Sequence, residues 1–183
     1  MDILHTPIYE GRPKDATGRL KKELRTYDLL DSLGISYQRI DHEAMPTIEA
    51  CHDVDKRLGI HICKNLFLCN TQKNRFYLLM MPGEKKFQTK IVSKQLGVAR
   101  LSFAPEEYME QLLDITPGSV SVLGLMNDKE HQVQLLMDED LLKEEFLGCH
   151  PCINTSSLKL ATRDLTDIFL SAVEHTPVFV ALP

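Results

Sequence analysis

The sequence predicts a mixed α/β (α+β) protein of a single domain, a mixed, mostly antiparallel sheet layer with helices packed on it. Three observations carry that expectation. Short apolar runs of strand length alternate with segments whose leucines recur at helical spacing. No internal repeat, low-complexity tract or linker-like stretch divides the chain. At 183 residues the chain would also leave two marginal cores if it were split in half.

The elements follow in order. Leu20, Leu24, Leu29, Leu30 and Leu33 recur at helical spacing and Gly34 follows them as a stop, so a helix is expected over 17–33. Residues 1–18 read as an arm that the core, 19–183, does not need. Alternation over 36–41 predicts a strand, and Pro46-Thr47 opens a helix ending near Leu58-Gly59, with Thr47 as its N-cap. Two apolar runs, 65–69 and 76–81, flank a polar turn and predict a well-buried hairpin. Helices are expected at 88–96, closed by Gly97, and at 105–113, where Pro105 suits the first turn and Glu106 and Glu107 suit the positive end of the helix dipole. Residues 120–126 and 133–137 read as two strands around the turn at 127–130, with a further strand at 158–160. A helix over 162–172 and a strand over 178–180 close the chain.

Composition removes several function classes. Hydrophobic residues make up 43% of the chain, which excludes disorder and collagen-like repeats. Twenty-one Lys and Arg against 26 Asp and Glu give a net charge of −5, so a polyanion could be met only at a local basic patch. No apolar run approaches the roughly 18 residues of a membrane span, and the first residues have neither a basic nor an apolar leader. A cytoplasmic protein with no membrane partner is therefore expected. Five cysteines, odd in number and sparse, read as thiols.

Each candidate for chemistry has a plain structural alternative. Cys149-His150-Pro151-Cys152 has the spacing of a redox motif, but it leads into a loop and a strand where such a motif opens a helix. Cys51, Cys63 and Cys69 lack the spacing for a second pair of zinc ligands. Lys64 heads an apolar strand, where an ammonium is either a solvated strand end or a charge held in a cleft. His150 reads equally as a satisfied loop histidine or a site residue. The glycines of Gly118-Ser119-Val120-Ser121-Val122-Leu123-Gly124 could let the backbone approach a ligand and present amides, or simply turn into a strand. Lys86, Lys90 and Lys94 fall at i,i+4 spacing as a stripe that suits a phosphate backbone or a solvated face.

Taken in order, the loop His42-Glu43-Ala44-Met45-Pro46-Thr47, Lys64-Asn65-Leu66-Phe67-Leu68, Gly118-Ser119-Val120-Ser121, Leu123-Gly124-Leu125, and His150-Pro151 with Asn154-Thr155 make up a pattern. It resembles the YbaK-type aminoacyl-tRNA editing family, in particular its free-standing prolyl-tRNA deacylase branch, homologous to the editing insertion domain of prolyl-tRNA synthetases. The likeness runs from about Leu20 to Val180. It implies the fold of that family, no cofactor and no metal, and a trans-editing hydrolase of mischarged tRNA(Pro). The implied catalytic residues are Lys64 and His150. The implied substrate contacts are Thr47, Asn65, Gly118, Ser119, Val120, Val122 and Asn154, with Lys86, Lys90 and Lys94 for tRNA. Aminoacyl-tRNA(Pro) is the implied partner, with prolyl-tRNA synthetase as a second.

The family's loop usually reads Gly-x-x-x-Pro, and Val122 stands in place of its proline. A synthetic site for proline rejects a smaller amino acid poorly, because missing methylenes are worth only about 1–3 kcal/mol, so alanyl-tRNA(Pro) is the implied substrate of a small sieve. Cysteinyl-tRNA(Pro), a thiol oxidoreductase using Cys149 and Cys152, and a noncatalytic adaptor for tRNA or synthetase are the alternatives. An ordinary lysine, with a pKa of about 10.4, is cationic at neutral pH, so Lys64 suits anchoring better than proton abstraction.

Overall fold

The computed structural model describes residues 3–44, 48–61 and 63–183, with the backbone alone over 48–51. The leucine-spaced segment forms α1 (Lys21–Ser32), and the remaining helices are α2 (Ile48–Leu58), α3 (Thr89–Leu96) and α4 (Glu106–Leu113). Gly97 closes α3 and Pro105 precedes α4, as expected. Thr47, the expected cap of α2, lies outside the described residues. A last helical stretch is π-wound over Asp164–Phe169 and ends in a short α turn, Leu170–Ala172.

The strands are β1 (Tyr9–Glu10), β2 (Tyr37–Asp41), β3 (Cys63–Cys69), β4 (Phe76–Pro82), β5 (Ser102–Phe103), β6 (Val133–Asp138), β7 (Phe146–Cys149), β8 (Ser156–Ala161) and β9 (Val178–Val180). They do not lie in one layer. One sheet is antiparallel in the order β1-β2-β8-β7, and the other runs β5-β3-β4-β6-β9. The expected hairpin is β3–β4, in register from Cys63↔Pro82 to Cys69↔Phe76. β4–β6 and β6–β9 are parallel, and every other pairing is antiparallel.

One reading is corrected outright. Residues 120–126 form no strand: Ser121 is extended, and a 3₁₀ helix follows over Val122–Asn127. The Ser121 hydroxyl accepts from the Leu123 amide at 3.2 Å, capping that helix. β6 therefore has no hairpin partner across 127–130 and pairs in parallel with β4 instead, from Phe76↔Val133 to Met80↔Met137.

The main core lies between the two sheets, where Phe67, Leu78, Met80, Leu135 and Met137 meet Tyr27, Leu30, Leu147, Leu158 and Phe169. Alternation sends Leu68, Leu79, Met81 and Leu136 to the opposite face, under α3, against Val92 and Leu101. The arm is woven in: β1 pairs with β2, and Ile3 and Ile8 pack against Ile40, Val54 and Leu58.

Arg19 and Arg39 both reach Asp41 at the end of β2. Burial alone would raise this carboxyl, but the two guanidiniums hold it down at about 2. A depressed carboxyl stabilises the fold above its unfolded pKa of about 3.9 and loses that contribution as pH falls through the folded value. Asp41→Asn is expected to lower neutral-pH stability by roughly 1–2 kcal/mol and to flatten the fall in urea midpoint between about pH 4 and 2. An unaltered acid slope in the variant would remove Asp41 from this role.

Candidate active site

Lys64 and Asn65 sit near the start of β3. β5 reaches only Leu68 and Cys69, so the first half of β3 is open on that side. The half-buried Lys64 shares a face with Leu66 and Leu68, and its Nζ donates to the Lys85 carbonyl at 2.8 Å. One ammonium proton is thereby engaged and two stay available. Asn65 points to the other face. Its Nδ2 donates to the Cys63 carbonyl at 3.5 Å, and its Oδ1 is buried without a partner. A buried acceptor left unmatched costs about 1–3 kcal/mol, so this oxygen favours a donor brought by a ligand.

Cys63 joins this strand to β7. Burial pushes its thiol up to about 12, and the thiol is hydrogen-bonded with the Gly148 backbone. A Cβ at Gly148 would lie 2.4 Å from Ile60 Cδ1, so a larger residue here would require the end of the Ile60 side chain to shift. His150 follows directly. Its Nδ1 lies 2.9 Å from the Ser156 carbonyl, an oxygen that can only accept, so Nδ1 carries the proton and Nε2 keeps its lone pair in the neutral ring. Burial holds the His150 pKa below the usual histidine value, and the neighbouring His42 lowers it further.

The structure brings His42 to this place, although the sequence reading left it unassigned. It lies just past β2, buried, with Nδ1 donating to the Glu43 carbonyl at 2.8 Å and Nε2 accepting from the Ser157 hydroxyl at 2.9 Å. Its ring meets that of His150 edge-on at 6.3 Å. Burial also depresses the pKa of His42, so the two imidazoles stand neutral side by side. No hydrogen bond joins Lys64 to His150 among the described residues; their link runs through Cys63 and Gly148.

The glycine loop meets the His150 loop. Gly118 holds φ +85°, and a Cβ there would lie 3.4 Å from Asn154 Nδ2, so Asn154 closes directly over this backbone. Not every amide of the loop is free. Ser119 is buried, and both its amide and its hydroxyl donate to the Thr116 carbonyl, at 3.1 and 2.8 Å. Among the described residues the Gly118 and Val120 amides have no intramolecular acceptor, and these two can face a ligand. Val122 is fully buried in the main core, so its side chain lies among core residues. It is the first residue of the 3₁₀ helix and follows an extended Ser121 (φ −148°, ψ 144°), a place that suits the proline usual in the family.

Lys86, Lys90 and Lys94 are exposed, but they form no continuous helical stripe. Lys86 precedes α3 by three residues, leaving Lys90 and Lys94 as its only i,i+4 pair. The cysteine motif is equally unsuited to thiol chemistry. Cys149 ends β7 and Cys152 stands at φ +60°; both are buried free thiols that burial pushes up, Cys152 to about 11. A groove of about 450 Å³ beside Arg75, His131 and His175 lies at the far end of β4 from Met81, the partner of Lys64, and gathers none of these residues.

The family model described as aminoacyl-tRNA editing domain matches residues 42–168. The prolyl-tRNA editing protein ProX of Acetoanaerobium sticklandii is 32% identical over 139 residues, covering 76% of this chain and 85% of that protein. The prolyl-tRNA synthetase associated domain-containing protein 1 of Mus musculus is 29% identical over 170 residues, covering 90% and 98%. A solved structure described as a candidate trans-editing enzyme for prolyl tRNA synthetase superposes with a TM-score of 0.66 at 14% identity, over 90% of this chain and 99% of that one, and thus shares the fold.

Proposed function

The chain belongs to the aminoacyl-tRNA editing domain family, and from that premise we propose that it is a trans-acting deacylase of mischarged tRNA(Pro), with alanyl-tRNA(Pro) as its substrate. The observation that supports this most is the His150 ring: Nδ1 is bound to a carbonyl, Nε2 has no hydrogen-bond partner among the described residues, and burial keeps the ring neutral. That ring can accept a hydrogen bond from a water without competing for a proton at neutral pH.

In the proposed reaction the water oxygen attacks the ester carbonyl carbon, and the bond from that carbon to the ribose oxygen breaks. His150 Nε2 orients the water and passes its proton toward the leaving ribose oxygen. The free amides of Gly118 and Val120 meet the developing oxyanion. Asn65 Oδ1 accepts from the amino group of the aminoacyl moiety, and the Lys64 ammonium anchors a terminal phosphate or the ester oxygens. Asn154 borders the pocket on this reading. The aminoacyl ester is intrinsically reactive, so positioning supplies most of the catalysis. Prolyl-tRNA synthetase, which makes the mischarged product, is the expected protein partner.

Parallel single-turnover hydrolysis of alanyl-, seryl-, cysteinyl- and prolyl-tRNA(Pro) tests the proposal. Alanine is expected to be released faster than proline by at least about tenfold, the size of a few methylenes' discrimination. Val122→Pro is expected to fold and to narrow the range of accepted esters, since the backbone at 122 already suits proline. Equal cleavage of prolyl-tRNA(Pro) would overturn the sieve, and a preference for cysteine would move the substrate to cysteinyl-tRNA(Pro).

A further inference from the structure

We propose that the open edge beside β3 binds the unpaired 3′ end of the substrate RNA by stacking a base on Phe103. This deepens the deacylase reading and rests on it for the identity of the RNA. Phe103 is 63% exposed on the two-residue edge strand β5, although a large apolar ring on a sheet edge is normally covered or replaced by a charge. Its ring lies 5.7 Å from that of Phe87 at an interplanar angle of 57°, a tilted contact that holds it while most of its surface stays exposed.

The placement connects this ring to Lys64. Phe103 is the register partner of Leu68, on the face of β3 that carries Lys64 and Leu66. Lys64 and Leu68 are four residues apart, about 13 Å along the strand. Successive nucleotides advance about 3.4 Å each along a stacked strand, so an RNA whose terminal ribose sits at Lys64 brings a base a few positions back onto Phe103. The segment between them is tied down, because Lys85 accepts from Lys64 through its carbonyl and leads directly to Lys86 and Phe87. Lys86 directly precedes Phe87, Lys90 follows it by three residues and Arg100 precedes Phe103 by three; all three are exposed cations, on a chain whose net charge is −5. An aromatic platform flanked by cations favours single-stranded nucleic acid over a duplex, whose bases are already stacked.

The chain contains no tryptophan, so Phe103→Trp introduces a single indole that reports stacking directly. Titration of this variant with a short unstructured RNA ending in CCA is expected to quench its fluorescence, and a duplex of equal length is expected to compete poorly. By fluorescence anisotropy, Phe103→Ala is expected to bind the same RNA about tenfold more weakly, the size of one base–aromatic stack, while Phe103→Tyr keeps wild-type affinity. Both substitutions fall on an exposed side chain and should leave the melting curve in place. Unquenched indole at saturating RNA, wild-type affinity in Phe103→Ala, or equal competition by duplex would each overturn the proposal. Because binding is read without hydrolysis, RNA binding that depends on Phe103 in a protein that releases no amino acid would support the stacking surface and remove the deacylase reading.

Discussion

Lys64→Ala is expected to slow release of alanine from alanyl-tRNA(Pro) by about 10²-fold or more while the protein stays folded. The two halves of that expectation have separate origins. Structurally, the ammonium makes one hydrogen bond, to the Lys85 carbonyl, from a half-buried strand end, and one such bond is worth about 1 kcal/mol. Catalytically, a fixed cation beside a polyanionic substrate acts in a partly desolvated place, where removing one preorganised electrostatic contact costs about 10²–10³ in rate. Single-turnover deacylation beside a thermal melt separates the halves. Wild-type turnover in the variant would discard Lys64 as an anchor, and a collapsed melt would make it a structural residue.

The pH profile adds an independent check. His150 must be neutral for its Nε2 to accept, and its pKa lies below the usual value of about 6.5. Activity is therefore expected to persist through neutral pH and to fall only as pH drops below that value.

The regular elements were legible because their signals are local. Leucine spacing marked α1, the closing Gly97 marked α3, and the two apolar runs marked the β3–β4 hairpin. Residues 120–126 misled because β-branched and apolar residues were read as a strand, whereas the hydroxyl of Ser121 starts a 3₁₀ turn that period and composition do not reveal. β7 was missed because Cys149 drew notice as half of a cysteine motif, and the strand depends on pairing with β8. The division into two sheets rests on long-range registers that a single sequence does not display.

For the site, Lys64, Gly118 and Asn154 stood out through motif resemblance, and the structure sets Gly118 against Asn154. His42 opened the first motif of the pattern but received no role, because its partner Ser157 lies 115 residues away on β8.

Asp138→Ala is expected to destabilise the fold by about 3 kcal/mol and to damage the site at a distance. Asp138 ends β6 with 0% exposure, a position a carboxylate tolerates only when its oxygens are fully used. They are: Oδ1 accepts from Lys85 Nζ at 2.9 Å and from the Asp140 amide at 2.9 Å, while Oδ2 accepts from Lys85 Nζ at 3.1 Å and from the Leu182 amide at 3.1 Å. Removing the carboxylate leaves two amides unpaired and strips a mostly buried ammonium of its fully buried counterion, and breaking a buried pair from one side costs about 3–5 kcal/mol. Lys85 keeps the Leu182 carbonyl at 2.6 Å and Asp140 at 2.7 Å, which places the expectation at the lower end. The effect reaches the site because the Lys85 carbonyl accepts from Lys64 Nζ. Once Lys85 is no longer fixed to β6, Lys64 loses its fixed partner, so deacylation measured well below the melting midpoint should fall further than the unfolded fraction explains. Asp140→Ala is the control: this carboxylate, its side chain 42% exposed, bonds the same Lys85, and its loss should shift the urea midpoint little. Equal midpoints for the two variants would mean that Lys85 is held by Asp140, and would sever the proposed connection from β6 to Lys64.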